Sequence, residues 1–172
     1  MATKDTEFTD AIMLLKADHQ TVKKLFKQFQ QTDDEGEQET IAEDICTELK
    51  IHAQIEEEIF YPAFRGKIDD DMLDEAIVEH DGAKVLINDI AAHGADDEFF
   101  AAKVTVLCEE ITHHVEEEEM PKEGMFAQCR ATDVDLVELR DQMLERKQEL
   151  MALAEGKGLP PAALSAVNVA AA

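Results

Sequence analysis

The sequence predicts an all-α protein: an up-down-up-down four-helix bundle made of two tandem αα-hairpins, followed by one C-terminal helix. Four segments carry apolar residues at alternating steps of three and four, which is typical of the buried face of a bundle helix. These segments form a repeat with a period of about 61 residues. The connections between them are short, so consecutive helices are expected to be antiparallel neighbours.

The chain has the size of one domain. Its 172 residues can bury a core without disulfide bonds, and a hydrophobic content of 45% excludes a wholly disordered chain. We expect the bundle to occupy residues 1–155, with its four-helix core at about 10–128 and an extra helix at about 133–154. Residues 156–172 form a small apolar tail to which the sequence assigns no role.

The first hairpin contains two predicted helices. The first begins at Asp10 with Thr9 as its cap, and its inward residues are Ile12, Leu15, His19, Val22, Phe26 and Phe29. The second runs from about Glu37 to Tyr61, because Pro62 disfavours helical backbone in the residue before it. Its inward residues are Ile41, Ile45, Leu49, His52, Glu56 and Ile59.

The second hairpin repeats this arrangement. Its first helix begins near Asp71 and ends at Gly94, which suits a C-terminal cap, and its inward residues are Leu73, Ile77, His80, Ile87 and Ile90. The inward residues of the next helix are Val104, Leu107, Ile111, His114 and Glu118. We interpret the last helix as a packing or oligomerising helix without chemistry.

Six polar residues interrupt the apolar faces: His19, His52, Glu56, His80, His114 and Glu118. In each hairpin a histidine and a glutamate four residues apart lie one turn apart on the same face, and this pair recurs after 62 residues. Burying all six costs several kcal/mol unless they are hydrogen-bonded or bound to metal. Imidazole and carboxylate without thiolate suit iron, manganese, zinc or copper, and two carboxylates can bridge two ions. A hydrogen-bonded polar core is the alternative.

At these residues the chain resembles the hemerythrin-like, or HHE cation-binding, family, whose pattern is a histidine, then HxxxE, then a second histidine and a second HxxxE. The resemblance covers about residues 10–128. It implies a non-haem centre of two iron ions, with manganese or zinc as alternatives. The four histidines are then terminal ligands, and Glu56, Glu118 and an oxo or hydroxo group bridge the ions.

The resemblance implies a protein that binds or reacts with a small oxidant, O2, NO or H2O2, in sensing or in protection against oxidative or nitrosative stress. The oxygen-carrying members add a histidine one turn after the third and place the last carboxylate one residue later. Lys84 stands at that additional histidine position here. The chain is therefore more similar to relatives that handle nitric oxide, peroxide or iron, and the choice between enzyme and binding protein stays open.

Several nearby residues need separate interpretation. His113 and Glu117 share the spacing of His114 and Glu118, but His114 continues the apolar line and is favoured as the ligand. We expect His93 to be solvated and Tyr61 to be an edge-of-core residue rather than a hydrogen-bond donor. The other glutamates of the two acidic runs should be solvated, although any of them can orient a ligand histidine: Glu57, Glu58, Glu116, Glu117 and Glu119.

The formal charge is −24, from 40 acidic and 16 basic residues. Such a charge disfavours binding to nucleic acid or to an anionic membrane surface. It also supports an alternative function, an acidic helical module that docks a basic protein partner without a catalytic metal. We expect a cytoplasmic protein, since no apolar run reaches the roughly 18 residues of a membrane span, the N-terminus does not resemble a signal peptide, and three cysteines lack disulfide or CxxC spacing.

Overall fold

The computed structural model describes residues 7–169, and all regular secondary structure in that range is helical. The α-helices are α1 (Ala11–Gln31), α2 (Glu35–Ile55), α3 (Tyr61–Phe64), α4 (Asp70–His93), α5 (Phe100–Glu119), α6 (Met125–Arg130) and α7 (Leu136–Gly156). A π-helical segment, Glu56–Phe60, joins α2 to α3. The predicted all-α class is confirmed. Residues 1–6 and 170–172, which the sequence assigned to the bundle and the tail, lie outside this range.

Helices α1, α2, α4 and α5 form the four-helix bundle, in which α1 packs on α2, α2 on α4, and α4 on α5. Helix α7 packs against α1 and α2. Helix α1 is capped by Asp10, whose carboxylate accepts a hydrogen bond from the backbone N–H of Met13 at 3.0 Å. The predicted cap, Thr9, is therefore wrong by one residue.

The second helix does not end at Tyr61, as the sequence predicted, but continues through the π-helical segment to Phe64. The backbone N–H of Tyr61 bonds to the carbonyl of Glu56, five residues back. A π turn is wider than an α turn, and we attribute the tolerance of Pro62 to the extra room beside its ring. The added residue also rotates the following side chains by roughly 100°, which turns Tyr61 into the core.

The apolar core has two parts with the polar layer of the bundle between them. The first cluster surrounds Leu15, Phe60 and Phe126, and α7 contributes Leu139, Met143 and Leu150 to it. The second cluster includes Val22, Phe26, Ile45, Ile87 and Leu107. On α1 the two clusters are separated by residues 16–21, which include His19. A polar layer so enclosed is shielded from bulk water on both sides.

Two segments have positions that the sequence did not predict. The short helix α6 places the ring of Phe126 parallel to the imidazole of His19, with 5.8 Å between ring centres. After α7 the tail returns to α4, where Asn88 and Ala162 exchange two hydrogen bonds of 2.8 and 2.9 Å. None of the helices within residues 7–169 combines the length and apolar character needed to cross a membrane.

Candidate metal centre

The six polar residues of the bundle faces lie together in one buried layer. His19 comes from α1, His52 from α2, His80 from α4, and His114 and Glu118 from α5, while Glu56 is the first residue of the π-helical segment. None of the six is more than 6% exposed. Four different helices therefore bring imidazole and carboxylate groups to one place, where their atoms define two neighbouring positions.

The first position lies between His19 and His52, whose Nε2 atoms are 3.1 Å apart. Oε1 of Glu56 is 3.3 Å from Nε2 of His52. Oε2 of Glu118 is 3.3 Å from Nε2 of His19. Two imidazole nitrogens and one oxygen from each carboxylate thus converge here.

The second position lies between His80 and His114, whose Nε2 atoms are also 3.1 Å apart. Oε2 of Glu56 is 3.2 Å from Nε2 of His80, and Oε1 of Glu118 is 3.5 Å from Nε2 of His114. Each carboxylate therefore directs one oxygen to each position. This is the arrangement that two bridging carboxylates require.

The spacing of these atoms fits metal ligation. Ligand atoms about 2.1 Å from an ion, at angles between a right angle and a tetrahedral angle, are roughly 3.0 to 3.4 Å apart. Most of the distances at the two positions lie in that range. Oε1 of Glu56 and Oε2 of Glu118 are buried and have no hydrogen-bond partner within residues 7–169. An unpartnered buried carboxylate oxygen is costly, and a cation at the first position would satisfy both.

Tyr61 belongs to the centre, so its interpretation as an edge-of-core residue was wrong. The side chain is only 1% exposed. Its hydroxyl lies 2.9 Å from Oε1 of Glu118 and 3.1 Å from Oε2 of Glu56, the two oxygens directed to the second position. Burial and the two carboxylates raise the pKa of the Tyr61 phenol well above its usual range. Tyr61 therefore stays protonated, and its hydroxyl donates a hydrogen bond to the bridging carboxylates.

A second carboxylate faces the other ring nitrogen of each histidine. The Nδ1 contacts are His19 with Glu119 at 2.7 Å, His52 with Asp18 at 3.3 Å, His80 with Glu57 at 2.9 Å, and His114 with Glu79 at 2.7 Å. Such a partner holds the proton on Nδ1 and leaves Nε2 free to bind an ion. All four Nε2 atoms do point into the centre.

These outer carboxylates were partly missed. Glu57 and Glu119 were predicted to be solvated, with the orientation of a ligand histidine as the alternative; both are partly buried and contact a ligand histidine, whereas Glu58 and Glu116 are exposed as expected. Asp18 and Glu79 were not singled out. Each directly precedes the first histidine of its hairpin, and the two are 61 residues apart, so the repeat that indicated the ligands could also have indicated them.

Two lysines hold outer carboxylates in place. Lys147 of α7 pairs with Asp18, so the interpretation of α7 as a helix without a link to the chemistry was wrong. Lys84, which stands where oxygen carriers have a further histidine, is buried, and its Nζ lies 2.7 Å from Oε1 of Glu57. Both lysines thus act on a ligand histidine through a carboxylate.

The tail also contacts the residues that surround the centre, although the sequence assigned it no role. The backbone N–H groups of Ser165, Ala166 and Val167 donate to Asp81 at 2.7 to 2.8 Å. Burial alone would raise the pKa of Asp81, but these three donors and Lys84 lower it to about 2. The Ser165 hydroxyl also bonds to the outer carboxylate of His80.

The carboxylates determine the charge of the centre in the absence of a cation. Burial lowers the pKa of His80, but hydrogen bonds and charge from Glu56 and Glu57 outweigh it and raise that pKa to about 9. The pKa of His52 is likewise raised well above its usual value, against burial, by Glu56 and Asp18. The pKa of Glu56 is lowered well below its usual value, against burial, by its histidine neighbours. Protons therefore supply the positive charge where no metal ion is bound.

A small cavity of about 20 Å³ adjoins the centre on the side of the second cluster. All four ligand histidines contribute to its wall, and the rest is mostly aliphatic, including Val22, Leu49, Ile87, Ile111 and Val115. A space of this size holds about one water-sized molecule. The centre therefore has room for one very small ligand in largely apolar surroundings.

The two remaining histidines and the three cysteines lie outside the centre. The side chain of His113 is 63% exposed while His114 is buried, so the structure places His114 in the centre. His93 is exposed. All three cysteines are free; Cys46 and Cys129 are buried, but Cys108 is only partly so.

Comparison with known proteins gives three similarities. A sequence model of the Hemerythrin HHE cation binding domain matches residues 10–126. A DNA nickase of Nostoc sp. (strain PCC 7120) is 29% identical over 106 residues, which are 62% of this chain and only 30% of that protein. A crystal structure of a hemerythrin HHE cation binding domain-containing protein from Mycobacterium kansasii aligns with a TM-score of 0.69 at 21% identity, over 88% of this chain and 96% of that one.

Proposed function

Because the chain belongs to the hemerythrin HHE cation-binding family, we propose that it is a non-haem di-iron protein that binds or reacts with a small oxidant. The candidates are O2, NO and H2O2, and the biological role would be sensing or protection against oxidative or nitrosative stress. Bound iron would supply exchange between the ferrous and ferric states and a coordination position for the oxidant. The donor atoms at the two positions suit iron, and also manganese or zinc.

The observation that carries the proposal is the size of the cavity beside the four histidines. Pockets for organic substrates are typically several hundred Å³, whereas this cavity is about 20 Å³. A diatomic molecule or a peroxide is thus the class of ligand that fits. The aliphatic wall favours small molecules of low polarity such as O2 and NO, while H2O2 would need a polar partner.

The protein side chains have distinct roles in this proposal. His19 and His52 would hold one ion and His80 and His114 the other, and Glu56 and Glu118 would supply carboxylate oxygens to the centre. The outer carboxylates fix the proton on Nδ1 of each imidazole. Tyr61 holds a proton at its hydroxyl, beside the second position.

The activity of the Nostoc protein is not extended to this chain, since the match spans 30% of that protein and a charge of −24 opposes binding to DNA. We further propose a cytoplasmic location, which the three free cysteines support because thiols stay reduced there.

The test is the metal content and optical spectrum of the purified protein before and after exposure to peroxide or nitric oxide. We expect about two irons per chain and bands that change on exposure. His52→Ala should abolish the iron content and the bands, while replacement of the exposed His93 with alanine should change neither the iron content nor the bands. A stable adduct would indicate a sensor or binder, and catalytic decay an enzyme. A folded protein that ignores added ferrous iron would overturn the proposal and leave the acidic interaction module.

A further inference from the structure

A second and larger cavity, of about 150 Å³, opens between α4 and the end of α5. At its inner end lie His114 and Glu118, two residues of the buried centre. Oε2 of Glu118 is one of the two buried carboxylate oxygens without a hydrogen-bond partner. This cavity thus connects the surface with the centre on a side different from that of the small apolar cavity.

The wall of the larger cavity is acidic. It carries four carboxylates in addition to Glu118, together with three methionine side chains: Glu75, Glu79, Glu117, Glu123, Met72, Met120 and Met125. No lysine or arginine within residues 7–169 forms an ion pair with any of these four carboxylates. Their negative charge is therefore available to attract a cation from solvent.

Two of these wall carboxylates, Glu79 and Glu117, flank the exposed His113 beside the cavity. Its Nε2 is 3.2 Å from Oε1 of Glu117 and 3.5 Å from Oε1 of Glu79. The other oxygen of Glu79 is 2.7 Å from Nδ1 of His114. One carboxylate therefore touches both the exposed histidine and a histidine of the buried centre.

In a similar surface group elsewhere, a lysine occupies the place that a cation would take. Asp89, His93 and Asp97 also have ligand atoms close to one another. There, however, the ammonium group of Lys103 lies against both aspartates and supplies the positive charge. The group around His113 has no such lysine within the described part of the chain.

We propose that Glu79, His113 and Glu117 form an outer site for a divalent cation, which receives Fe²⁺ from solvent and delivers it through the acidic cavity to the buried centre. Two carboxylates and one imidazole suit Fe²⁺, Mn²⁺ or Zn²⁺ and leave positions for water. The partial set of three ligands favours transient binding over retention. This proposal requires that the buried centre takes up metal, but it does not depend on which oxidant reacts there.

The experiment measures the rate of loading and the final metal content separately. Metal-free wild-type protein, His113→Ala and Glu117→Gln are mixed with Fe²⁺ without oxygen, free iron is removed at intervals, and the iron retained per chain is counted. We expect both variants to reach the wild-type content about tenfold more slowly. His113 is exposed and Glu117 lies near the end of α5, so neither change removes core packing.

Two control variants separate a site from general electrostatics. Glu116→Gln removes the same charge as Glu117→Gln from an exposed neighbouring position, and His93→Ala removes an exposed histidine of the lysine-filled group. Both should load at the wild-type rate. If His113→Ala and Glu117→Gln also load at that rate, or if Glu116→Gln slows loading as much as Glu117→Gln, the outer site is refuted. If the wild type retains no iron, the di-iron function fails as well.

Discussion

Replacing Tyr61 with phenylalanine should destabilise the metal-free protein more than the loaded protein. The hydroxyl donates to Oε2 of Glu56 and to Oε1 of Glu118. The other two oxygens of these carboxylates are without a hydrogen-bond partner, so the variant would remove a donor from carboxylates that are only partly hydrogen-bonded in the metal-free protein. Removing a hydrogen bond to a charged group costs about 1.5 to 3 kcal/mol, and we expect a loss of that size in the metal-free protein.

Metal should reduce that cost, because bound ions take the carboxylate oxygens as ligands. The assays are denaturant unfolding, for the free energy, and thermal unfolding, for the melting temperature, of wild type and Tyr61→Phe, each with and without metal. At about 2 to 4 °C per kcal/mol for a chain of this length, the melting temperature of the metal-free variant should fall by roughly 3 to 12 °C. Thr105→Val, which removes an exposed hydroxyl bonded to a helix carbonyl, is the control and should change stability by less than about 0.5 kcal/mol.

Either of two results would refute this reasoning about Tyr61. One is an unchanged free energy of unfolding for the metal-free variant, which would mean that the hydroxyl does not support the carboxylates. The other is an equal loss of unfolding free energy in the metal-free and the loaded protein, which would mean that bound metal does not satisfy the carboxylate oxygens.

Three further predictions concern pH, the small cavity and the outer shell. The raised pKa of His80, about 9 against an ordinary 6.5, stabilises the metal-free fold fully below pH 6.5. This stabilisation is lost as the pH rises through 9, so the melting temperature of metal-free protein should fall across that window while that of loaded protein stays nearly flat; equal slopes would contradict this. Val22→Ile adds a methylene to the wall of the small cavity and should slow the reaction with nitric oxide or peroxide at unchanged iron content. Val104→Ile, at a buried valine of the same cluster away from the cavity, should react at the wild-type rate, and identical kinetics for both would exclude the cavity as the oxidant site. Lys147→Met frees Asp18 and should weaken metal binding about tenfold or more in a chelator competition, whereas Lys157→Met, at the exposed end of α7, should not; unchanged affinity in Lys147→Met would show that α7 only packs.

Much of the site could be predicted because it obeys two regularities that are visible in the chain. Helical periodicity placed His52 and Glu56 on an apolar face, and the repeat placed His114 and Glu118 at the equivalent point of the second hairpin. Both regularities depend on regular α-helix. Where the helix widens into a π turn, the face of each following residue changes, and Tyr61 was accordingly assigned to the wrong environment.

The contribution of the tail could not be predicted for a different reason. Ser165, Ala166 and Val167 bind Asp81 through backbone N–H groups, which every residue except proline carries. No choice of side chain marks such donors in a sequence. Helix α6 escaped prediction because six residues are too few to show a helical period, although Phe126 lies against His19.

The bonds between the tail and Asp81 also have a consequence for the order of events during synthesis. The ligands lie between residues 19 and 118, whereas the donors to Asp81 lie at residues 165–167 and leave the ribosome later. A nascent chain therefore exposes its full set of ligands before the segment that secures α4 exists. We expect a chain that binds metal at that stage to hold its ions in a looser centre, so that tight retention begins only when residues 165–167 have left the ribosome and bonded to Asp81.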